Sequence, residues 1–170
     1  MIRLVLSAIF LVNCTTYAAS AQSSVNDTSE AVQRIRKEFQ LINANENTFK
    51  KVEKELPDES SEGGALQKFY DQDKKLRKVV NTFYTEITRD REEYYIKNDS
   101  LFFVFTRHER YKEPIQVNMH PTIREVTENR YYFDDLRLIL WLRNKEKINV
   151  KEWPKEATQV LQRYKSYGKQ

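Results

Sequence analysis

Three glycines, one cysteine, two histidines and no long apolar run leave this 170-residue chain few ways to carry chemistry. Scarce glycine leaves little room for a phosphate-binding loop, a dinucleotide fingerprint or a Gly-x-Ser-x-Gly elbow, and none of these occurs. His108 and His120 are not spaced as a helical metal pair, and no carboxylate motif joins them, so neither a metal nor a cofactor is expected. Charge of one sign is missing too. The 29 basic and 25 acidic residues are interleaved, as in Lys50-Lys51-Val52-Glu53-Lys54-Glu55. That is the pattern of a solvated surface rather than of a nucleic-acid track. Asp71, Asp73, Asp134 and Asp135 look like paired carboxylates, but they fall where the chain is expected to turn, and turn chemistry accounts for them.

What is present begins with an export signal. Arg3 supplies the positive start, residues 4–12 the apolar run, and Ala19-Ser20-Ala21 a small-x-small cleavage site, so residues 1–21 are expected to be removed. The run is far shorter than the roughly 20 residues that span a bilayer. Cys14 invites a lipoprotein reading, but Asn13 stands where such signals carry Gly, Ala or Ser, which argues against acylation. With the cut after Ala21 no cysteine survives, and disulfides, a thiol nucleophile and cysteine-ligated zinc all drop out. Residues 22–170 are expected to form one domain, periplasmic or secreted, without a transmembrane segment and held by its core alone.

The chain is organised by a repeat. Phe69-Tyr70, Tyr94-Tyr95 and Tyr131-Tyr132 are each followed by Asp/Asn-rich turn residues and by a leucine six positions after the second aromatic: Leu76, Leu101 and Leu138. Aromatics, a polar turn, then a β-rich segment is a hairpin signal. Three hairpins in succession predict a six-stranded antiparallel meander, with strands near 65–71, 75–85, 90–97, 100–110, 124–134 and 137–144. Helical spacing of Val32, Ile35, Phe39 and Ile42 predicts a helix over 29–44, and Pro154 opens a second over 154–167. The fold class is therefore α+β, with an N-terminal and a C-terminal helix on the sheet. Residues 48–56 are open between helix and strand, leaning to strand.

Residues two apart share a face of a strand. Leu101, Phe103, Phe105, Leu138, Leu140 and Leu142 are expected beneath the N-terminal helix. Phe102, Val104, Ile139 and Trp141 then form a second face, covered by the C-terminal helix and the loop 111–122 or left as an open aromatic shelf where a partner docks. Tyr94 and Tyr131, opposite in parity to Tyr95 and Tyr132, are the tyrosines spare for recognition. Glu128 and Arg130 alternate on one side of a strand and suggest a salt-bridged ladder.

The stretch Glu128-Asn129-Arg130-Tyr131-Tyr132-Phe133, followed by Leu138-Ile139-Leu140-Trp141-Leu142, resembles a group of small exported bacterial proteins of uncharacterised function. They share a signal peptide, an N-terminal helix, a Gly-Gly start to the first hairpin (here Gly63-Gly64) and aromatic-pair hairpins that look loosely like MORN repeats. The resemblance spans most of residues 30–145. It implies export and a hairpin layout, and it brings no catalytic residue and no ligand. The Asp-Gly or Asn-Gly turns usual in MORN repeats are absent.

These features point to a non-enzymatic binding or interaction protein that uses a sheet face to meet an unknown protein or an envelope glycan. An enzyme acting on envelope polymers through unidentified carboxylates, and a carrier of a small apolar ligand between sheet and helix, are the alternatives. Mass spectrometry of the exported protein should find its N-terminus at Gln22, and acylation of Cys14 would overturn that processing.

Overall fold

The structure, a computed structural model, describes residues 17–57, 60–118 and 120–169. Most of the expected leader, including Arg3, the apolar run and Cys14, lies outside the described residues. Eight strands run in sequence order through one antiparallel sheet: β1 (Lys50–Glu55), β2 (Gly64–Tyr70), β3 (Leu76–Tyr84), β4 (Thr88–Lys97), β5 (Ser100–Tyr111), β6 (Ile123–Asp134), β7 (Arg137–Arg143) and β8 (Glu146–Lys147). Helix α1 (Tyr17–Ala44) packs on one face and α2 (Trp153–Lys169) on the other. The α+β class, the antiparallel sheet and the two terminal helices agree with the sequence reading, but the sheet has eight strands rather than six. The two additions are edges. All six residues of β1 are exposed, so no apolar alternation marks it, and its place rests on pairing with β2 from Lys50↔Tyr70 to Glu55↔Ala65. β8 is two residues long.

Three two-residue turns join the later strands: Asn98-Asp99, Asp135-Leu136 and Asn144-Lys145. Both residues of each have positive φ, between 47° and 74°. This is the type I′ hairpin turn, whose backbone twist matches that of the strands it joins. Asn and Asp tolerate the left-handed conformation; Leu136 and Lys145 occupy it at a cost. The first hairpin turns more widely, and Asp71 Oδ1 caps it by accepting from the amides of Asp73 and Lys75, each at 3.0 Å. Glycine is needed at the start of β2, where a Cβ on Gly64 would lie 2.5 Å from the Thr82 carbonyl oxygen.

Each repeat carries the same irregularity. Phe69 pairs with Lys78 but Tyr70 with Leu76; Tyr95 pairs with Phe103 but Ile96 with Leu101; Tyr132 pairs with Leu140 but Phe133 with Leu138. One residue per hairpin, Arg77, Phe102 or Ile139, is left without a partner. An extra residue in one strand is a β-bulge, and it reverses the in–out alternation beyond it. This corrects the sequence reading of the faces. Leu101 and Leu138, expected beneath α1, instead join the α2-side core, while Phe102 and Ile139 pack on the α1 side. Phe103, Phe105, Leu140 and Leu142 lie on the α1 side as expected.

The aromatic pairs divide between the helices. Tyr95 and Tyr132 are buried with Val32, Ile35 and Ile42 of α1, whereas Tyr94 and Tyr131 are buried with Val160 and Tyr167 of α2. Phe39 meets the rings of Tyr95 and Phe103 edge-on at 4.9 and 5.0 Å, and Phe103 meets Tyr132 at 4.9 Å. Such ring pairs add about 0.5–1.5 kcal/mol beyond the area they bury.

Replacing Leu136 by glycine should raise stability by about 1 kcal/mol, because it relieves a leucine at φ 60°. Little burial is lost, since Leu136 is 45% exposed. Calorimetry should show Tm rising by about 2–4 °C; an unchanged or lower Tm would mean that the turn is unstrained.

Candidate functional site

The α2 side of the sheet is filled. Tyr94, Val104, Tyr131 and Trp141 are at most 2% exposed beneath α2, so of the two readings of this face, covered or open, the covered one describes them. Phe102 and Ile139 stand on the opposite face and are half-buried under α1. The six candidate residues are therefore split between two cores, because the bulges interrupt the alternation that grouped them. Polar ends of the α2-side aromatics are also occupied. Glu92 accepts hydrogen bonds from the hydroxyls of Tyr94 at 2.7 Å and Tyr167 at 3.1 Å, and Tyr131 donates to Glu156 at 2.8 Å. Trp141 Nε1 donates to Asn129 Oδ1 at 3.0 Å. Burial and the Glu92 carboxylate push the Tyr94 hydroxyl well above its ordinary value.

The α1 side is different, because a groove remains between the helix and the sheet. Around Val32 α1 packs with Ile139 and Leu140, and Glu38 pairs with Arg77 and Lys97. The helix thus crosses the strands near their bulged ends. Beyond it the α1-facing positions of β4, β5 and β6 carry charged side chains, with Glu93 and Glu109 buried and the arginines partly exposed. At the boundary lies a groove of about 430 Å³, within the range of small-ligand sites. Its sheet side is aromatic: Tyr95, Phe103, Phe105 and Tyr132, with Phe39 added from α1. Its polar lining is Arg36, Gln40 and Asn43 of α1 with Lys78, Glu93 and Arg130 of the sheet.

One end of the groove is a closed knot. Lys78, with a side chain only 3% exposed, meets Glu46 at 2.7 Å, Glu93 at 3.0 Å and Asn43 Oδ1 at 3.1 Å, and lies 5.0 Å above the Tyr95 ring. Two of the ammonium's donors are used in hydrogen bonds to Asn43 and Glu46, and Glu93 adds an ion pair. Glu93 is equally engaged, accepting from the Tyr95 hydroxyl at 2.6 Å and from Arg91 Nε at 2.7 Å. Burial pushes its carboxyl up, but Lys78, the Tyr95 hydroxyl and Arg91 outweigh burial and hold it below the ordinary value. A carboxylate so tied is a structural counter-ion and is poorly suited to passing protons.

From the groove outward runs a ladder of charge. Arg107 bonds Glu109 at 2.7 Å and Glu128 at 2.9 Å, and Arg130 bonds Glu128 at 2.9 Å. The acids lie deeper than the bases. Side chains of Glu93, Glu109 and Glu128 are 11–22% exposed, against 27–38% for Arg89, Arg91, Arg107 and Arg130. The accessible charge of this face is therefore positive. The α2 side carries no such ladder at the equivalent level, where His108 Nδ1 lies 2.6 Å from Asp90. Among the described residues no group of three or more His, Cys, Asp and Glu is placed to hold a metal, and no helix is long and apolar enough to cross a membrane.

Sequence reasoning missed Arg36, Lys78 and Glu93 as site residues. The signal was parity: Glu93 and Arg130 each stand two residues before a repeated tyrosine, and Lys78 shares a face with Val80 on a mostly apolar strand. A charge at a core-facing position needs a partner or a role.

Glu93→Gln should lower stability by about 3 kcal/mol at neutral pH, the low end for orphaning one member of a buried ion pair, since Glu46 still holds Lys78. The folded-state carboxyl titrates below its ordinary value of 4.5, so its stabilisation is complete above that value and is lost as pH falls through the lower folded one. Urea midpoints of wild type and variant should therefore converge in acid, and a gap that persists there would show the loss to be steric. Comparison with protein-family models, with curated proteins and with solved structures finds no match to this chain.

Proposed function

We propose that the chain is an exported, non-enzymatic binding protein whose ligand or partner meets the sheet on its α1 side. The leader-like start of the sequence supports export. The observation that carries the binding reading is the asymmetry of cover. α2 closes its face with aromatic packing and satisfied hydroxyls, whereas α1 leaves a groove of about 430 Å³ that opens onto an arginine-rich surface. An aromatic floor beside accessible guanidinium groups suits recognition, because rings supply contact area and arginine supplies directional, charged donors. The enzyme alternative is weaker, because the carboxylate lining the groove, Glu93, has both oxygens engaged by cations and a hydroxyl.

The test is capture from envelope extract with three purified forms of the protein: wild type, an Arg91→Ser/Arg107→Ser double variant on the α1 side, and His108→Ser on the α2 side. A partner retained by wild type and His108→Ser but lost by the double variant supports the reading. A partner lost only by His108→Ser moves the site to the other face and overturns it.

A further inference from the structure

Resting on that reading, we infer that the groove beside α1 takes a small anion: a flat aromatic or apolar body bearing one carboxylate, sulfonate or phosphate group. The unspent charge of the groove has one sign. Glu93 is occupied, as is Lys78, and Asn43 Oδ1 already accepts from Lys78 while its amide donates to the Phe39 carbonyl. What remains, beside the neutral Gln40 amide, are two guanidinium groups. Arg36 is exposed, makes no ion pair among the described residues, and holds its guanidinium 5.7 Å over the Tyr132 ring. Arg130 spends one terminal nitrogen on Glu128, but Nη1 is buried without a hydrogen-bond partner, and the guanidinium stands 5.1 Å over the Phe105 ring.

Two guanidinium groups with donors to spare flank the ring surface of Tyr132 and Phe105. A donor left without an acceptor is costly, and turning Arg130 toward a ligand oxygen recovers that cost. Arginine meets a carboxylate or phosphate with two parallel bonds, which orients the anionic head. The ligand's flat body would then lie on the rings. A neutral apolar molecule fills the same volume but leaves both guanidinium groups unmatched, so the groove discriminates by charge.

The experiment compares two fluorescent probes of one shape: anilinonaphthalene sulfonate, which is anionic, and N-phenylnaphthylamine, which is neutral. Purified wild type should bind the anion saturably, one per chain, and about tenfold or more tighter than the neutral probe. Arg36→Gln removes a charge that has no ion pair to lose, so folding should be unaffected and the tenfold preference should shrink. Gln40→Trp adds bulk on the helical wall of the groove and should block both probes. Equal binding of both probes, each blocked by Gln40→Trp, would overturn the anion preference while leaving the groove as a site for apolar ligands. Absence of saturable binding, or binding that Gln40→Trp does not weaken, would overturn the groove itself and the anion inference with it.

Discussion

The structure depends on burying two faces of one sheet with adjacent residues of one strand. Neighbouring side chains in a strand point to opposite faces, so an aromatic pair cannot serve one core. In Tyr94-Tyr95 and Tyr131-Tyr132 the first ring goes beneath α2 and the second beneath α1. Each helix therefore has an aromatic floor, and neither floor exists without the other. The bulges adjust the fit, after Tyr95 and Tyr132 and between Phe69 and Tyr70. They present Arg77, Phe102 and Ile139 to α1, and Arg77 meets Glu38 of that helix at 2.7 Å.

Much of this was legible in the residues. The period of the aromatic pairs and the fixed offset to leucine place the hairpins, and the spacing of Val32, Ile35, Phe39 and Ile42 places α1. Two things were not legible. β1 has no buried residue, so the sequence only leaned to strand over 48–56, and its pairing with β2 decides between strand and helix. Bulges leave no mark in a count by twos, since Leu101 and Phe103 look equivalent until their partners Ile96 and Tyr95 are known. Strict alternation therefore sends Leu101, Leu138, Phe102 and Ile139 to the wrong faces.

The candidate site was harder to read than the fold. Aromatics invite a recognition role, yet Tyr94, Tyr131 and Trp141 are buried by a helix from the far end of the chain. Lys78 and Glu93 look like ordinary surface charges until pairing sets Lys78 opposite Tyr95 and brings Glu46 from the other side of α1's end. The groove owes its shape to the place where α1 stops covering the sheet. That limit belongs to tertiary packing and has no local code.

The strand order has a temporal meaning as well. Every strand pairs with the next in sequence, so a chain delivered from its N-terminus can add one hairpin at a time without waiting for a distant segment. α1 is present before any strand, and the face of Tyr95, Phe103 and Tyr132 can close as it forms. The opposite face has no such escort. Tyr94, Val104, Tyr131 and Trp141 stay open to water until Trp153–Lys169, the last element of the chain, arrives to cover them. An unfinished chain thus displays a broad aromatic surface to any holding factor it meets, and the last helix ends that exposure.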